Sequence, residues 1–403
     1  MDKTKHIYYY YNMVVRNSQS RALVIYCMLT LFNMKKILIF TILLLLVFVM
    51  AGGLVRGTVT NVNPDKPSKG QWDLNPRKVW QVDRAGDDVF SRVEIAAAED
   101  ETLYVHDWRN RCIYMFDNNG AFKRAFGTRG EGPGEIRTHL KTFIVKDKLI
   151  AADIDRLHYF TQQGEFIKAV PNMLFQREPH IFLNDHEFIA APTFVVPEDG
   201  KGNITCVNLK TGTKKIVREF SLPRSGAGGT GVKLIGLTPM IITGYDYDNH
   251  KLYYGVNDAY EIHVVRLNGQ VLNTFSVNRQ KKPVSNETLR KQLKLIDASA
   301  PINEIMKQLP KEITYYHRIS IHKEHVLVFE DNFGTNWERQ AIDIFSLDGK
   351  YLYRTVFRPG PDVKIYFTSI GSILVQGDYL YVVLEDDEGE VVIAKYRIQL
   401  PKK

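Results

Sequence analysis

The residues from Val93 to Phe126, VEIAAAEDETLYVHDWRNRCIYMFDNNGAFKRAF, carry the clearest structural signal in this 403-residue chain. They contain four short runs of β-forming side chains that are separated by turn residues. The last two runs flank Asp117-Asn118-Asn119-Gly120, where a glycine supplies the positive φ that a tight hairpin turn requires. The stretch therefore predicts one unit of four antiparallel strands.

The same glycine-containing hairpin returns at Gly164, Gly212, Gly269 and Gly349. The intervals between successive glycines are 44, 48, 57 and 80 residues. The first two match one four-stranded propeller blade, which takes roughly 40–50 residues. The two longer intervals indicate insertions.

A sixth unit ends the chain with three predicted strands and lacks the outer fourth, while the lone strand Arg77–Asp83 precedes the first full unit. A ring of blades leaves an exposed edge unless its two ends pair. We therefore predict an all-β fold, a six-bladed β-propeller over residues 77–400, in which the N-terminal strand closes the last blade. A many-stranded β-sandwich is the alternative, but it does not explain why the spare strand and the missing strand lie at opposite ends.

The unit at residues 93–127 resembles an NHL-type repeat, in which a strand ends in Val-x-Asp, an apolar strand follows and a glycine forms the turn. The next residues, GTRGEGPGEI (Gly127–Ile136), look like a loop of exported six-bladed propellers from Bacteroidetes-like bacteria. The resemblance is sharp over about residues 93–170 and implies a fold far more than an activity. Similar six-bladed propellers include calcium lactonases and amidating lyases.

An apolar run without a charge, Ile37–Val55, precedes the propeller and just reaches the length that crosses a hydrocarbon core. Lys35 and Lys36 before it favour a cytoplasmic N-terminus. Two interpretations stay open: residues 37–55 are a retained transmembrane signal anchor, or they are a signal peptide that is cut before Gly52. Both predict export to the periplasm or to the outer face of the cytoplasmic membrane.

The segments around this run complete the predicted domain organisation. Residues 1–36 are a cytoplasmic segment, or a wrongly assigned start if translation begins at Met34. Residues 56–76 are polar and rich in Gly, Pro and Asn, which predicts a linker.

The net charge of +8 does not indicate nucleic-acid binding. Residues 1–56 contain seven basic residues and one acidic residue, so the rest of the chain is close to balanced. A nucleic-acid interface would need a basic patch on the folded body. The three cysteines show no metal-binding spacing.

If the strands of each blade run from A at the axis to D at the rim, every glycine hairpin is a C–D turn on one face. The long connections Gly127–Arg137, Leu222–Pro239 and Asn278–Ile313 then lie on the opposite face with the B–C loops. Loops carry function on a rigid scaffold, so this loop-rich face is the predicted binding face. The third connection contains a helical insertion at about 285–312, whose apolar stripes either pack on the blades or form a lid or docking platform.

Acidic residues recur at the predicted ends of the B strands, at Asp107, Asp153, Asp258, Asp331 and Asp386. A ring of carboxylates at the mouth of the axial channel is one way to hold a calcium ion. An aspartate at a strand end also accepts hydrogen bonds from the backbone of the next turn, and the recurrence favours this structural role. We predict no cofactor, with calcium as the alternative.

The loop Gly127–Ile136 matches neither a phosphate-binding loop nor a dinucleotide-binding motif. We interpret it as a crossing between blades, with Arg129 and Glu131 as its best-placed recognition groups. The full set of predicted ligand-binding residues is Asp107, Arg109, Arg129, Glu131, Asp153, Asp155, Asp258 and Asp331.

These observations favour an exported, non-catalytic binding module that presents its loop-rich face to a protein, a peptide or a glycan. Membrane contact would run through the N-terminal helix. The alternative is a calcium- or zinc-dependent hydrolase or lyase, lactonase-like or amidating-lyase-like, with its site at the channel mouth. The sequence contains neither HExxH nor GxSxG, so no catalytic residue is assigned.

Overall fold

Short strands joined by tight turns build the folded body, as the repeated β-rich runs predict. A computed structural model describes residues 59–172, 179–192, 200–222, 234, 236–296, 302–333, 337–366 and 372–402. The strands before the first complete blade are β1 Val59–Pro64, β2 Arg77–Val82, β3 Arg84–Ala85 and β4 Asp88–Val89. Blades 1 to 3 contain β5 Val93–Ala97, β6 Leu103–Asp107, β7 Cys112–Phe116 and β8 Phe122–Phe126; β9 His139–Val145, β10 Lys148–Asp153, β11 Arg156–Thr161 and β12 Phe166–Pro171; and β13 Pro179–Asn184, β14 Glu187–Ala190, β15 Lys201–Asn208 and β16 Thr213–Ser221.

The second half of the ring follows the same plan. Blades 4 and 5 contain β17 Ile241–Asp246, β18 Lys251–Val256, β19 Glu261–Arg266 and β20 Val271–Asn278, and then β21 Tyr316–His322, β22 His325–Glu330, β23 Gln340–Ser346 and β24 Tyr351–Phe357. Blade 6 contains β25 Val363–Ile365, β26 Ile373–Gln376, β27 Tyr379–Asp386 and β28 Val391–Arg397. Strands β25 and β26 both pair with β27.

The inner strands of the blades contact one another in a closed circle. Strand β5 contacts β9, and the contacts continue through β13, β17, β21 and β26 back to β5. Within blades 1 to 5 the strands pair antiparallel in chain order, as do β26, β27 and β28 in blade 6. The predicted six-bladed β-propeller is confirmed.

The N-terminal strand completes the last blade. Strand β2 pairs antiparallel with β28, with Arg77 opposite Arg397 and Val82 opposite Ile393. Since β28 also pairs with β27, β2 takes the outer position that the C-terminal unit lacks. The predicted closure is confirmed.

A buried lysine joins the closing strand, the last blade and the first blade. Lys395 on β28 is 1% exposed, and its Nζ donates to Glu101 Oε2 at 2.6 Å and to the carbonyl of Asn118 at 3.1 Å. Its ammonium lies 4.1 Å from the ring centroid of Tyr379. The indole N–H of Trp80, on β2, donates to the same Asn118 carbonyl at 2.9 Å. These contacts form the closure seam.

The hydrophobic core lies between the blades. In the described part of the chain each gap between neighbouring blades holds its own cluster of buried side chains. Blade 1 shows the reason, because its second strand is buried on both faces from Leu103 to Asp107. Such a strand has apolar side chains at consecutive positions, here Leu103-Tyr104-Val105, and its buried polar end, His106-Asp107, lies next to the loop-rich face.

Residues 59–76 lie against the rims of blades 4, 5 and 6, so the interpretation of this stretch as a linker needs correction. Strand β1 pairs parallel with β20, and the backbone N–H of Ser68 donates to the carbonyl of Tyr351 on β24 at 2.9 Å. The side chain of Leu74 is 2% exposed and packs in the cluster between blades 5 and 6. We call residues 59–76 the strap. Composition could not distinguish the two cases, because Asn, Pro and Gly are common in flexible linkers and also in segments whose side chains hydrogen-bond to a neighbouring surface.

Asn63 holds the strap across the gap between blades 4 and 5. Its Nδ2 donates to the carbonyls of Ser276 and Gly349, both at 3.0 Å, and its Oδ1 accepts from the backbone N–H of Tyr351 at 3.0 Å. The strap thus covers rims that would otherwise present unpaired strand edges.

The predicted division into two faces is also found. Each hairpin glycine lies between the third and fourth strand of its blade, and the three long connections lie between consecutive blades. The helical insertion contains α1 Asn286–Ile296 and α2 Ile302–Gln308. Its side chains Leu289, Leu293 and Ile305 pack in one cluster with Leu237 and Phe333 from neighbouring connections, so these apolar stripes are covered.

The interpretations of residues 1–36 and 37–55 fall outside the described residues. Among the described residues no helix is long and apolar enough to span a membrane. Cys112 and Cys206 are free thiols, and burial raises the pKa of Cys112 to about 11.

The closure seam yields a first prediction. Lys395→Met leaves Glu101 without its partner and removes the cation from among the aromatic rings, so we expect unfolding to become easier by about 2 kcal/mol. This is less than breaking a fully buried pair costs, because the Glu101 side chain is 34% exposed. Chemical unfolding followed by tryptophan fluorescence measures it. Lys78→Met on the exposed face of β2 is the matched control. Equal unfolding midpoints for the two variants would contradict a stabilising role of Lys395 in the closure seam.

The strap yields a second prediction. Asn63→Ala leaves two carbonyls and one N–H without their partners. We therefore expect the free energy of unfolding to fall by about 1–3 kcal/mol and proteolysis within residues 59–76 to become faster. The control is the neighbouring Val62→Ala, because Val62 is 70% exposed. If both variants resist protease as well as the wild type does, Asn63 does not fasten the strap.

Candidate functional site

Three of the five predicted acidic residues, Asp107, Asp153 and Asp331, bind the chain that enters the same blade. Asp107 ends β6, and its Oδ2 accepts from the backbone N–H of Ser91 at 2.9 Å. Its Oδ1 accepts from the Ser91 hydroxyl at 3.0 Å and from the backbone N–H of Arg109 at 2.8 Å. Since Ser91 lies two residues before β5, this carboxylate joins the end of strand B to the start of strand A.

Blades 2 and 5 repeat the arrangement. Asp153 ends β10 and accepts from the backbone N–H groups of Arg137 and Thr138, both at 2.9 Å. Asp331 follows β22 directly and accepts from the Thr314 hydroxyl at 2.9 Å. We call these side chains latches, because each holds a connection between blades in place.

In blade 4 the latch is Asn257, which the sequence analysis missed in favour of its neighbour Asp258. The Oδ1 of Asn257 accepts from the backbone N–H of Met240 at 2.8 Å. The carboxylate of Asp258 instead pairs with Lys281. Asp386 in blade 6 caps its own turn by accepting from the backbone N–H of Glu390 at 2.8 Å.

The environments of Asp331 and Asp153 shift the pKa values of these two carboxyl groups in opposite directions. Burial raises the pKa of Asp331 to about 6, against the hydrogen bonds from Thr314 and Phe333. Burial acts in the same sense on Asp153, but the nearby His158 and the backbone N–H donors outweigh it and lower the pKa of Asp153. Asp153 is therefore a stable carboxylate at neutral pH.

The oxygens of the latches are directed at local donors. Among the described residues no group of three or more His, Cys, Asp or Glu side chains is placed to hold a metal ion. Six of the eight predicted ligand-binding residues, in blades 1 and 2, are brought into one region, whereas Asp258 and Asp331 lie in blades 4 and 5.

The glycine-rich crossing from blade 1 to blade 2 is closed by its own acid. Glu135 Oε2 accepts from the backbone N–H of Gly132 at 2.8 Å. A Cβ at Gly130 would come within 1.9 Å of the same oxygen, so Gly130 leaves the space that this carboxylate occupies. The loop therefore binds an internal anion, which supports its interpretation as a structural crossing.

A cleft of about 150 Å³ opens on the loop-rich face between this crossing and the B–C turn of blade 1. The lining residues are His106, Trp108, Arg111, Ile136, Arg137 and Thr138. The Asp107 and Asp153 latches fix both walls, because they bind the backbone of Arg109 and of Arg137. Burial lowers the pKa of His106 to about 3, so its ring is neutral at physiological pH.

Cations dominate the exposed groups around this cleft. The charged side chains there are Arg92, Arg109, Arg111, Arg129, Arg137, Glu131 and Asp155. The Arg92 guanidinium lies 5.4 Å from the Trp108 ring, and Arg137 pairs with Asp155 at 3.1 Å. Arg109, Arg111 and Arg129 form no ion pair with any described residue.

Sequence reasoning found the region and overlooked its central residues, Trp108 and Arg111. Both belong to the turn Trp108-Arg109-Asn110-Arg111 that follows the Asp107 latch. A tryptophan and two arginines in a turn of four residues were the available signal. Arg111 also has a positive φ of 53°, which turns the backbone back into β7.

Comparisons with known proteins agree with the fold. A family model described as a 6-bladed beta-propeller (DUF5128) matches residues 89–172, which span blades 1 and 2. A candidate exported protein from Bacteroides fragilis (BF0058) is 14% identical, with 85% of this chain and 100% of that chain covered and a TM-score of 0.53. A DUF4221 family member from Bacteroides vulgatus is 13% identical, with coverages of 82% and 100% and a TM-score of 0.50. The resemblance to exported bacterial six-bladed propellers is confirmed, and at these identities it concerns the fold alone.

Virginiamycin B lyase from Staphylococcus aureus is 12% identical, with 79% of this chain and 99% of that chain covered and a TM-score of 0.42. This likeness is too low to carry an argument about activity. No curated protein matches the sequence.

The raised pKa of Asp331 predicts a pH effect on stability. Between about pH 4 and pH 6 the carboxyl stays protonated when folded and ionises when unfolded, so its contribution to stability falls as pH rises. Asp331→Asn has no such titration, and Asn257 shows that an amide fits a latch. We expect the free energy of unfolding of the variant, relative to that of the wild type, to rise by about 2 kcal/mol between pH 4 and pH 7. Thermal unfolding over this pH range measures the difference.

The control for this prediction is Asp153→Asn. The pKa of Asp153 is lower in the folded state than in the unfolded state. Its carboxylate therefore contributes stability above the unfolded-state pKa, and this contribution is lost as pH falls. Asp153→Asn should therefore be most harmful at neutral pH. Parallel pH profiles for the two variants would refute the assignment.

Proposed function

We propose that this protein is an exported, non-catalytic binding module that uses its loop-rich face. The observation that carries the proposal is the cleft between blades 1 and 2, where Trp108, Arg111 and Arg137 meet on walls fixed by two latches. Rigid walls favour binding, because fewer degrees of freedom are lost when the ligand arrives. The ligand is a protein, a peptide or a glycan.

The charges around the cleft support recognition of a partner. The latch carboxylates and Glu135 are occupied by internal donors, whereas Arg109, Arg111 and Arg129 have no described ion-pair partner. Arginine is enriched where proteins bind planar acidic groups, because its guanidinium presents several donors in one plane. Tryptophan and arginine are also the side chains most often found at the energetic centre of interfaces.

We place the module in the cell envelope. Support comes from the apolar run at 37–55 and from the neighbouring structure described as a candidate exported protein. The strap enters the propeller near the hairpin face, since Val59 pairs with Asn273 close to the Gly269 turn.

Capture from an envelope extract tests this function. We expect full-length protein, solubilised in detergent, to enrich a partner that is lost in Trp108→Ala and retained in Tyr247→Ala, an exposed aromatic side chain on the hairpin face. Thermal unfolding checks that both variants are folded. Equal enrichment by both variants would contradict the cleft. Turnover of lactones or esters by protein supplied with calcium or zinc would instead favour the metal-dependent hydrolase or lyase.

A further inference from the structure

We infer that the cleft between blades 1 and 2 binds a carboxylate-bearing sugar unit of an acidic glycan. This inference rests on the proposed function and names the class of ligand. Arg111 and Arg137 would hold the carboxylate, and Trp108 would pack against the sugar ring.

The size of the cleft sets the first limit on the ligand. About 150 Å³ is well below the 300–1,000 Å³ of pockets that enclose a whole drug-sized ligand. It has room for one ring or one side chain of a longer molecule that continues over the face. The cleft therefore recognises a single unit.

The charges set the second limit. The Arg111 guanidinium has no described ion-pair partner, and Arg137 shares its charge with the half-exposed Asp155. Arg92 lies over the Trp108 ring and keeps a third cation next to the cleft. A carboxylate accepts paired hydrogen bonds from guanidinium groups, and such charge-assisted bonds are about twice as strong as neutral ones.

The hydrogen bonds of the backbone set the third limit, because they favour a sugar over an extended peptide as the ligand. The N–H groups of Trp108, Arg109 and Arg111 donate to Arg92, to the Asp107 carboxylate and to the Asp107 carbonyl. On the other wall those of Ile136, Arg137 and Thr138 donate to Thr128 and to Asp153. An extended peptide draws much of its affinity from main-chain hydrogen bonds, and these donors are already used. Side chains are left to do the recognition, which suits a carboxylated sugar.

Titration calorimetry with full-length protein in detergent tests the inference. The probes are short uronic-acid oligosaccharides, the same oligosaccharides with methyl-esterified carboxylates, a neutral oligosaccharide of equal length and an oligoglutamate peptide. We expect the free acids to bind, and esterification to weaken binding by about tenfold or more, because it removes the charge and keeps the ring. Higher salt should weaken binding as well.

Matched variants locate the site. Arg111→Gln should lose about tenfold or more in affinity for the free acid. Arg124→Gln removes an exposed arginine from the rim of blade 1 and should bind as the wild type does. Thermal unfolding confirms that both variants keep the fold.

The remaining outcomes overturn the inference. Oligoglutamate that binds as tightly as the uronic acids would assign the cleft to acidic peptides. Equal binding of esterified and free sugars, or no binding of any probe, would refute recognition of a carboxylated sugar. If no probe binds while Trp108→Ala still loses its partner from the envelope extract, the binding function stands and only the ligand class fails. If that partner is also absent, both fail.

Discussion

Strand β2 and strand β28 come from opposite ends of the propeller sequence, and their pairing makes the ring closed. Lys395 sits within this pairing and reaches Glu101 and Asn118 of blade 1. An ammonium at 1% exposure is costly to bury unless it is paired and hydrogen-bonded, and here it has both kinds of partner and aromatic rings around it. Because the core lies in the gaps between blades, an open ring would expose the faces of blade 1 and blade 6 that now pack together. The other gaps depend on this one for their geometry.

The latches fix the loops that connect the blades. Each latch joins the end of strand B to the residues that precede strand A, so a connection between blades is held by the blade that it enters. The acids that first suggest a calcium ring are thereby occupied by local donors. Around the cleft this leaves arginines as the majority of the exposed charged groups. The same latches that use the carboxylates give the cleft its fixed walls.

The strap shows how composition and structure can diverge. Its asparagines and prolines are the residues of a flexible linker as much as of a segment that bonds to a surface. The difference lies in Asn63, whose hydrogen bonds reach Ser276, Gly349 and Tyr351, more than 200 positions away in the chain. No local pattern contains that information. The helices of the insertion were easier to predict, because spacing alone gave both helices and their apolar stripes, whereas the contacts that bury these stripes are tertiary.

Periodicity and turn chemistry were enough for the six blades, the division into two faces and the closing strand. These features depend on neighbours in sequence: a glycine with positive φ, an apolar run, and a strand missing at one end and spare at the other. The cleft, the strap and the latch at Asn257 were settled by tertiary contacts, since they join residues that the ring brings together from separate turns. Trp108 and Arg137 are almost thirty positions apart, and they become walls of one cleft because Asp107 and Asp153 hold two turns on adjacent blades.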